Sequence, residues 1–388
     1  MRCALLGAFA FPHFQGSQVY AESLARALIR EGLGISVISY GGERSPGLEC
    51  HAIASRWRPR NSRSGPRWGK PLADLALTRK LLDLHRANPF DVVLAHNAEA
   101  AAVALAVRPS IKTPVIYVAH TLLRWELSCY GPPMAGPPID ALGGQIDRLL
   151  ARYADALVVL CEDARAELAP HARGPVALLP PPLDPSPAPS DERRSRACAR
   201  AGVLPGAFSL YAGNLDPYQD LPRLAQAAKL LGDAKHPILV ASHDPRGLPE
   251  KLGSALRFFE VSNFEEMRAL TFAAGELVAA RNRPGGFPVK LLNYMESGRP
   301  ILAHEGVADG LVHAHNAWLL PRHASARALA DGLRWLRSHP EAASRLGAEG
   351  RAHLERRHAS APLARAFADF FVDTVDRRRS PGLPVEAG

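Results

Sequence analysis

A cluster of prolines near the middle of the chain, residues 180–189, reads Pro-Pro-Pro-Leu-Asp-Pro-Ser-Pro-Ala-Pro. Proline fixes φ and lacks a backbone N–H, so a run of this density can continue neither a helix nor a central strand. Proline-rich segments instead form stiff, extended spacers. The cluster therefore divides the 388-residue chain into two parts, and each part has the length of a typical domain.

Strand and helix patterns alternate on both sides of this cluster. Cys3–Phe9 is a continuous apolar run, as in a strand buried on both faces, and Val19–Arg30 has apolar residues at helical spacing. After the cluster, Phe208–Ala212 and residues 220–231 begin the alternation again. This order is typical of parallel sheets with helices on both faces. We expect an α/β fold with two Rossmann-like, doubly wound domains whose sheets face a common cleft at their carboxyl edges.

Composition narrows the function classes. The formal charge of +9 and the pI of about 9.6 favour an anionic partner, which could be nucleic acid, an acidic membrane or a phosphorylated substrate. The five cysteines lie far apart without a C-x-x-C pair, which argues against a disulfide framework or a zinc site and fits a reducing compartment. The sequence contains neither G-x-G-x-x-G, a Walker motif nor D-x-D, so we expect no nicotinamide or flavin cofactor and no metal.

One segment of the second half has the pattern of a phosphate site. Gly285 and Gly286 precede a helical stretch, Pro288 stands where proline is tolerated in a first turn, and Gly298 ends the stretch. Free N–H groups at such a helix start favour an anion, and Lys290 adds a formal charge. A tight helix–strand corner with a solvated lysine is the alternative interpretation, and the pattern alone leaves both open.

The same segment resembles the donor-binding segment of retaining glycosyltransferases of family four, which have the GT-B fold. The matching residues are Gly286-Phe287-Pro288, 291–295 and 298–301. The resemblance extends over most of the chain. The helix that begins at Gly16-Ser17 is similar to the family's first glycine loop, residues 91–96 and 118–121 resemble two strand ends of its first domain, and residues 211–215 resemble the opening strand and turn of its second domain.

The resemblance and the positions at strand ends together give a set of site residues. His120 and Lys290 are the candidate catalytic residues. His96, Asn97 and Glu126 are candidates for the acceptor side. The candidate donor-binding residues are Gly16, Ser17, Gly213, Asn214, Arg281, Arg283, Gly285, Gly286, Phe287, Pro288 and Asn293.

Two departures from the family pattern fall inside this set. Many members have two glutamates eight positions apart, and here Gly285 and Asn293 stand in their places. Many also have Arg or Lys just after the turn at Gly213, where this chain has Asn214 and, further on, Gln219. The positive charge for a diphosphate is then expected from Lys290, Arg281 or Arg283.

The resemblance implies a glycosyltransferase that moves a sugar from a nucleotide-diphosphate-sugar to a glycan, lipid-linked or small-molecule acceptor, with retention inherited from the family. It implies no cofactor beyond the nucleotide-sugar co-substrate, and a role in polysaccharide or glycolipid biosynthesis. A nucleotide-sugar epimerase of the same architecture and a catalytically impaired nucleotide-sugar-binding partner are the alternatives. We expect an acceptor-side domain over 1–182, a linker over 183–190, a donor-binding domain over 191–360 and a helix over 361–388 that crosses back to the first domain.

A basic segment with two tryptophans, residues 56–70, lies in the first half. Cations beside interfacial aromatic rings suit an acidic membrane surface, and equally a phosphorylated acceptor or a solvated loop. No nucleic-acid-binding module accompanies the segment, so we expect no nucleic acid partner. The expected location is cytoplasmic, and the membrane interpretation of this segment would place the chain at the inner membrane face.

Overall fold

The computed structural model describes residues 1–12, 16–41, 45–59, 69–130, 136–243, 255–281 and 285–379. Within these ranges the chain forms two parallel sheets, one on each side of the proline cluster. The predicted α/β architecture with two parallel-sheet domains is therefore confirmed.

The first sheet has seven parallel strands in the order β3-β2-β1-β4-β5-β6-β7. Its strands are β1 Arg2–Ala10, β2 Gly34–Gly41, β3 Glu49–Ala52, β4 Val92–His96, β5 Val115–Ala119, β6 Ala156–Val159 and β7 Val176–Leu178. Its helices are α1 Gly16–Arg30, α2 Lys70–Ala87, α3 Asn97–Ile111, α4 Leu123–Glu126, α5 Gly136–Tyr153 and α6 Glu162–Leu168.

The second sheet has six parallel strands in the order β10-β9-β8-β11-β12-β13. Its strands are β8 Ser209–Ala212, β9 Ile238–Ser242, β10 Arg257–Glu260, β11 Glu276–Ala279, β12 Ile301–His304 and β13 Trp318–Leu320. The helices of this half are α7 Asp191–Ala201, α8 Leu221–Leu231, α9 Phe264–Ala273, α10 Lys290–Ser297, α11 Ala326–Ser338, α12 Pro340–Arg357 and α13 Ser360–Arg379.

Each sheet has one point where the strand order reverses. In the first sheet β1 lies between β2 and β4, and in the second β8 lies between β9 and β11. Ligands of open parallel sheets bind in the crevice at this point, beyond the carboxyl ends of the strands. The segments that follow β1, β4, β8 and β11 are therefore the ones that build a site.

Both faces of the first sheet are covered by helices. Leu77 and Leu81 of α2, Ala100 of α3 and Leu150 of α5 pack on one face, in a buried cluster with Tyr117 of β5. On the other face, α1 packs against α13, whose rings Phe367 and Phe371 are fully buried. The last helix thus shares a core with the first sheet although it follows the second sheet in the chain.

The proline cluster is fixed to the second half by a buried ion pair. The guanidinium of Arg268 donates to the Glu296 carboxylate at 2.7 Å and to the backbone oxygens of Ser186 and Pro187. The N–H of Ser186 donates to the same carboxylate at 2.9 Å. A buried carboxylate and guanidinium need such partners, because leaving either unpaired would be strongly destabilising. The proline cluster is therefore bound to the second half and is not a free spacer.

Candidate functional site

The two reversal points face each other through the starts of two helices. Gly16 begins α1 after β1, and α10 begins at Lys290 after the segment that follows β11. A Cβ built on Gly16 would lie 3.7 Å from the Cβ of Val289. The first N–H groups of a helix have no partner within the helix, and the helix dipole adds positive potential there. Two such helix starts therefore meet at one place between the sheets.

Gly286 brings the second half into direct contact with His120. A Cβ on Gly286 would lie 1.6 Å from the backbone oxygen of His120, and Gly286 has a φ of +77°. Only glycine fits both the approach and the left-handed backbone. Phe287, the next residue, is buried with its ring 5.1 Å from that of His358, and Pro288 follows as a buried residue. Helix α10 begins two residues later than the sequence suggested, so Pro288 precedes the helix.

We expect Gly286→Ala to separate the two halves at this contact. The matched control is Gly298→Ala, because Gly298 has a φ of +66° but open space around its Cβ position. The control should lower the free energy of unfolding by about 1 kcal/mol through backbone strain alone. Gly286→Ala should cost about 1–3 kcal/mol more, since the added methyl group collides with a carbonyl oxygen. Urea unfolding of both variants measures the difference, and equal losses would show that the contact with His120 does not hold the halves together.

The ammonium group of Lys290 is held by polar groups of the second half. Its Nζ donates to the Tyr211 hydroxyl at 2.8 Å and to Oε1 of Gln219 at 2.9 Å. A Cβ on Gly213 would lie 3.3 Å from this Nζ, so the glycine leaves room for the lysine. Burial lowers the pKa of Lys290 well below its ordinary value of 10.5, and the nearby positive charge of Arg281 lowers it further. Lys290 is therefore not a solvated surface lysine.

Asn214 and Gln219 connect the turn after β8 to this lysine. The side chain of Gln219 donates to Oδ1 of Asn214 at 2.8 Å while its own oxygen accepts from Lys290. The Asn214 amide donates to the Asp216 carboxylate and, at 3.0 Å, to the Tyr218 hydroxyl. Its side chain thus orders the turn and, through Gln219, the position of Lys290.

Arg281 occupies the space beside Gly285. A Cβ on Gly285 would lie 1.5 Å from Nη2 of Arg281, so the guanidinium fills the volume into which a side chain at 285 would project. The guanidinium lies 5.3 Å from the centre of the Tyr218 ring, and burial lowers the pKa of Arg281. Arginine nevertheless stays charged near neutral pH. Arg283 lies outside the described residues.

Glu126 brings a carboxyl group from the first half to the same cluster. It accepts a hydrogen bond from the Tyr130 hydroxyl at 3.1 Å. Burial raises the pKa of Glu126, the negative charge of Asp216 raises it further, and the positive charge of Arg281 lowers it. Charges of both halves therefore act on one another across the boundary.

His96 and His120 form a buried pair beneath this boundary. Nδ1 of His96 lies 2.7 Å from Nε2 of His120, and the Tyr20 ring packs edge-on against His120 with 4.7 Å between ring centres. Burial lowers the pKa of His96 to about 3, and burial and the neighbouring His96 lower that of His120 well below 6.5. Both rings are therefore neutral at pH 7, and one proton lies between the two nitrogens. His96 is completely buried, so its polar partner is His120.

The remaining predicted residues lie at the edges of the site. Ser17 is partly exposed in the first turn of α1, and Asn97 begins α3 with a φ of +73°. Asn293 is partly exposed one turn after Lys290 on α10. The assignments of these residues to a donor or an acceptor remain predictions.

Four residues of the site escaped the sequence analysis: Tyr20, Tyr130, Tyr211 and Tyr218. Each contributes a ring or a hydroxyl to a group that was predicted. Tyr211 lies in β8 and Tyr218 in the segment that follows it, whereas Tyr20 lies within α1 and Tyr130 follows α4. Their common signal is only a tyrosine on a strand or in the segment between it and the next strand. That signal is weak, because most buried tyrosines serve packing alone.

The described residues form neither a metal-binding cluster nor a membrane-spanning helix. They contain no group of three or more His, Cys, Asp or Glu side chains that could hold a metal ion. None of the helices described is both long and apolar enough to cross a bilayer. Of the basic segment 56–70 the structure describes 56–59 and 69–70, where the Trp57 ring is 39% exposed with the guanidinium of Arg56 over it.

The N-terminal half of the chain is similar to a known protein family. Residues 15–182 match a family model described as a glycosyl transferase 4-like domain. No curated protein sequence matches the chain.

Solved structures match almost the whole chain. Sucrose-phosphate synthase from Thermosynechococcus elongatus is 17% identical with a TM-score of 0.79, over 96% of this chain and 98% of that one. HepE of Anabaena, solved in complex with UDP-glucose, is 13% identical with a TM-score of 0.72, over 96% and 100%. WaaG, a glycosyltransferase involved in lipopolysaccharide biosynthesis, is 17% identical with a TM-score of 0.67, over 95% and 99%. The likeness establishes the fold, which is that of the GT-B glycosyltransferases.

Proposed function

We propose that this chain is a glycosyltransferase that transfers a sugar from a nucleotide-diphosphate-sugar donor to an acceptor. The observation that carries the proposal is the meeting of two helix starts, at Gly16 and Lys290, with two cationic side chains between facing parallel sheets. This arrangement suits a diphosphate, because the positive ends of two helix dipoles and two cationic side chains converge on one small volume. The match of residues 15–182 to a glycosyl transferase 4-like domain supports the same reaction class.

In this proposal, the positive charge that binds the diphosphate comes from helix α10 and not from the turn after β8. The family resemblance places a cation just after the turn at Gly213, and Nζ of Lys290 lies 3.3 Å from the position of a Cβ on Gly213 and 2.9 Å from the Gln219 side chain. Lys290 thus brings a positive charge from α10 to a turn that has Asn214 and Gln219 in place of a cation. A diphosphate beside it would raise the pKa of this lysine and favour its protonated form. Arg281, over the Tyr218 ring, supplies the second charge.

The reaction would release a nucleoside diphosphate. Negative charge grows on the leaving diphosphate as the bond to the sugar breaks, and fixed donors that face this charge lower the barrier. We assign this role to the two helix starts and to Lys290. His120 would contact the sugar and Asn293 the ribose, as the resemblance implies, and retention of the anomeric configuration is proposed on the same ground. Closure of the two halves around the donor, with Gly286 against His120, would exclude water and so limit hydrolysis of the donor.

UDP-sugars are the first donors to test, because HepE was solved with UDP-glucose. The purified chain is incubated with UDP-, ADP- and GDP-sugars, with and without lipid-linked, glycan and small-molecule acceptors. Nucleoside diphosphate release that depends on both donor and acceptor is the expected result, and NMR of the product's anomeric proton tests retention.

The same experiment separates the other candidate functions. A changed sugar nucleotide in the absence of any acceptor would indicate an epimerase. Calorimetric binding of a nucleotide sugar with no product across the donor and acceptor panel would indicate a binding partner without activity. If no nucleotide sugar binds at all, the proposed role of the two helix starts is wrong.

A further inference from the structure

Along two neighbouring helices on the outer surface of the first domain, most of the fully exposed residues are uncharged. Helices α3 and α5 are in contact and lie on the face of the sheet opposite α1 and α13. One of their exposed residues, Arg152, is charged. The exposed residues are Ala102, Ala106, Pro109, Ser110, Pro137, Pro138, Ala141, Leu142, Gln145, Leu149, Arg152 and Tyr153. We call this set the α3–α5 face.

Three large apolar side chains form a stripe on this face. Leu142, Leu149 and Tyr153 follow one another at intervals of seven and four residues, which places them on one side of α5. Their exposed fractions are 53%, 52% and 48%. Burying half-exposed side chains of this size is a substantial favourable contribution to any association. An exposed apolar stripe of this kind marks an interaction surface.

Positive charge borders the stripe. A groove of about 570 Å³ lies between α5 and residues 170–173, and Arg148, Arg152 and Arg173 line it. The guanidinium of Arg173 lies 5.9 Å from the centre of the Tyr153 ring, so cation and apolar stripe adjoin. The acidic residues of the two helices, Glu99, Asp140 and Asp147, are partly exposed or buried, and Glu99 pairs with Lys70. Beside the groove, Glu167 pairs with Arg148.

We propose that the α3–α5 face binds the surface of an anionic lipid bilayer. Apolar side chains that enter the boundary between headgroups and acyl chains, beside arginines that attract anionic headgroups, are the two signals that together hold a protein on a membrane. A second copy of this chain fits less well, because two identical faces would carry exposed charges of the same sign, Arg152 and Arg173, towards each other. The cleft lies at the carboxyl edge of the sheet, so contact through this side face leaves its entrance open. The proposal does not involve the basic segment 56–70.

Flotation with vesicles tests the proposal without any donor or turnover, so its outcome is independent of the proposed reaction. The full chain is mixed with vesicles of phosphatidylcholine that contain 30% or no phosphatidylglycerol. The test variant is Leu149→Ser/Arg152→Glu, which alters two exposed residues. The matched control is Leu204→Ser/Arg193→Glu, which makes the same changes on the second domain, where Leu204 is 72% exposed.

The wild type and the control variant should float with the anionic vesicles and not with the neutral ones, and the test variant should bind at least about tenfold less. Thermal unfolding shows that the variants are folded, and light scattering reports self-association. Absence of binding to anionic vesicles, or equal binding by both variants, would overturn the proposal. A dimer that the test variant alone abolishes would also overturn it, in favour of a second copy on this face.

Discussion

Lys290→Met should lower turnover by about 10²–10³-fold while the protein stays folded. Losing one fixed donor to the charge of a transition state has a cost of this size, and methionine keeps most of the volume of the lysine side chain. Tyr211 and Gln219 would each lose a partner for a polar atom. Steady-state release of nucleoside diphosphate measures the effect. The control is Lys229→Met, at an exposed lysine of α8, which should leave turnover unchanged.

A charge exchange gives this prediction a stronger form. In Lys290→Gln/Gln219→Lys the two side chains trade places, which returns the cation to the turn after β8 and keeps an amide beside it. Because the two groups are in direct contact at 2.9 Å, the ammonium group would move only a few ångströms. We expect the turnover of the double variant to be at least about tenfold higher than that of Lys290→Gln, since fixed charge in a site without water is the main source of rate. If Lys290→Met has full turnover, the lysine does not act on the leaving group.

The architecture could be predicted because it depends on local patterns. The run Cys3–Phe9 became β1 Arg2–Ala10, fully buried over most of its length, and Val19–Arg30 became α1 Gly16–Arg30. Apolar runs and helical spacing reflect burial directly, so they identify a strand or a helix even when the element that it packs against is unknown.

Helices α2 and α7 and strand β3 were not predicted, because their buried residues leave no periodic pattern of large apolar side chains in the sequence. Helix α7 buries only small residues, Ala197, Cys198 and Ala201, so no large apolar side chain records its inner face. Helix α2 exposes Leu72 and Leu75 at 55% and 66%, which blurs its apolar period. Strand β3, Glu49–Ala52, is a short edge strand with alternating polar residues.

The interior of the site could not be predicted, because its contacts join residues far apart in the chain. Lys290 contacts Tyr211 and Gln219, which are 79 and 71 positions away. The departure at Gln219 was visible in the sequence. The sequence left three candidates for the missing positive charge, Lys290, Arg281 and Arg283. Only the placed side chains show that the ammonium group of Lys290 contacts Gln219.

His120→Ala should reduce turnover by about 10²-fold or more, and His96→Leu by about tenfold, although His96 is completely buried and lies behind His120. We interpret His96 as a positioning residue. It shares one proton with His120 over 2.7 Å, and so decides which nitrogen of His120 carries a hydrogen and how the ring is turned. Leucine removes this hydrogen bond. The loss should fall on kcat with little change in the KM for the donor.

His96→Asn is the variant that separates positioning from packing. An asparagine amide can take the place of Nδ1 as a donor or an acceptor, so it should restore most of the turnover that His96→Leu loses. Equal losses in both variants would mean that His96 serves the core alone, and unchanged turnover in His96→Leu would remove it from the mechanism.

The pH dependence of stability gives a second readout of this histidine pair. The folded pKa of His96 is about 3, below the ordinary 6.5, so the unfolded chain takes up the proton first as the pH falls. Stability is therefore fully present above pH 6.5 and declines steadily from pH 6.5 towards 3. At pH 5 the decline from His96 alone should be about 2 kcal/mol. His96→Leu and His96→Asn should both remove this part of the decline, whereas only His96→Asn should recover turnover. The two readouts together assign the role of His96. If His96 served packing alone, His96→Leu and His96→Asn would agree in turnover as they do in the pH dependence of stability.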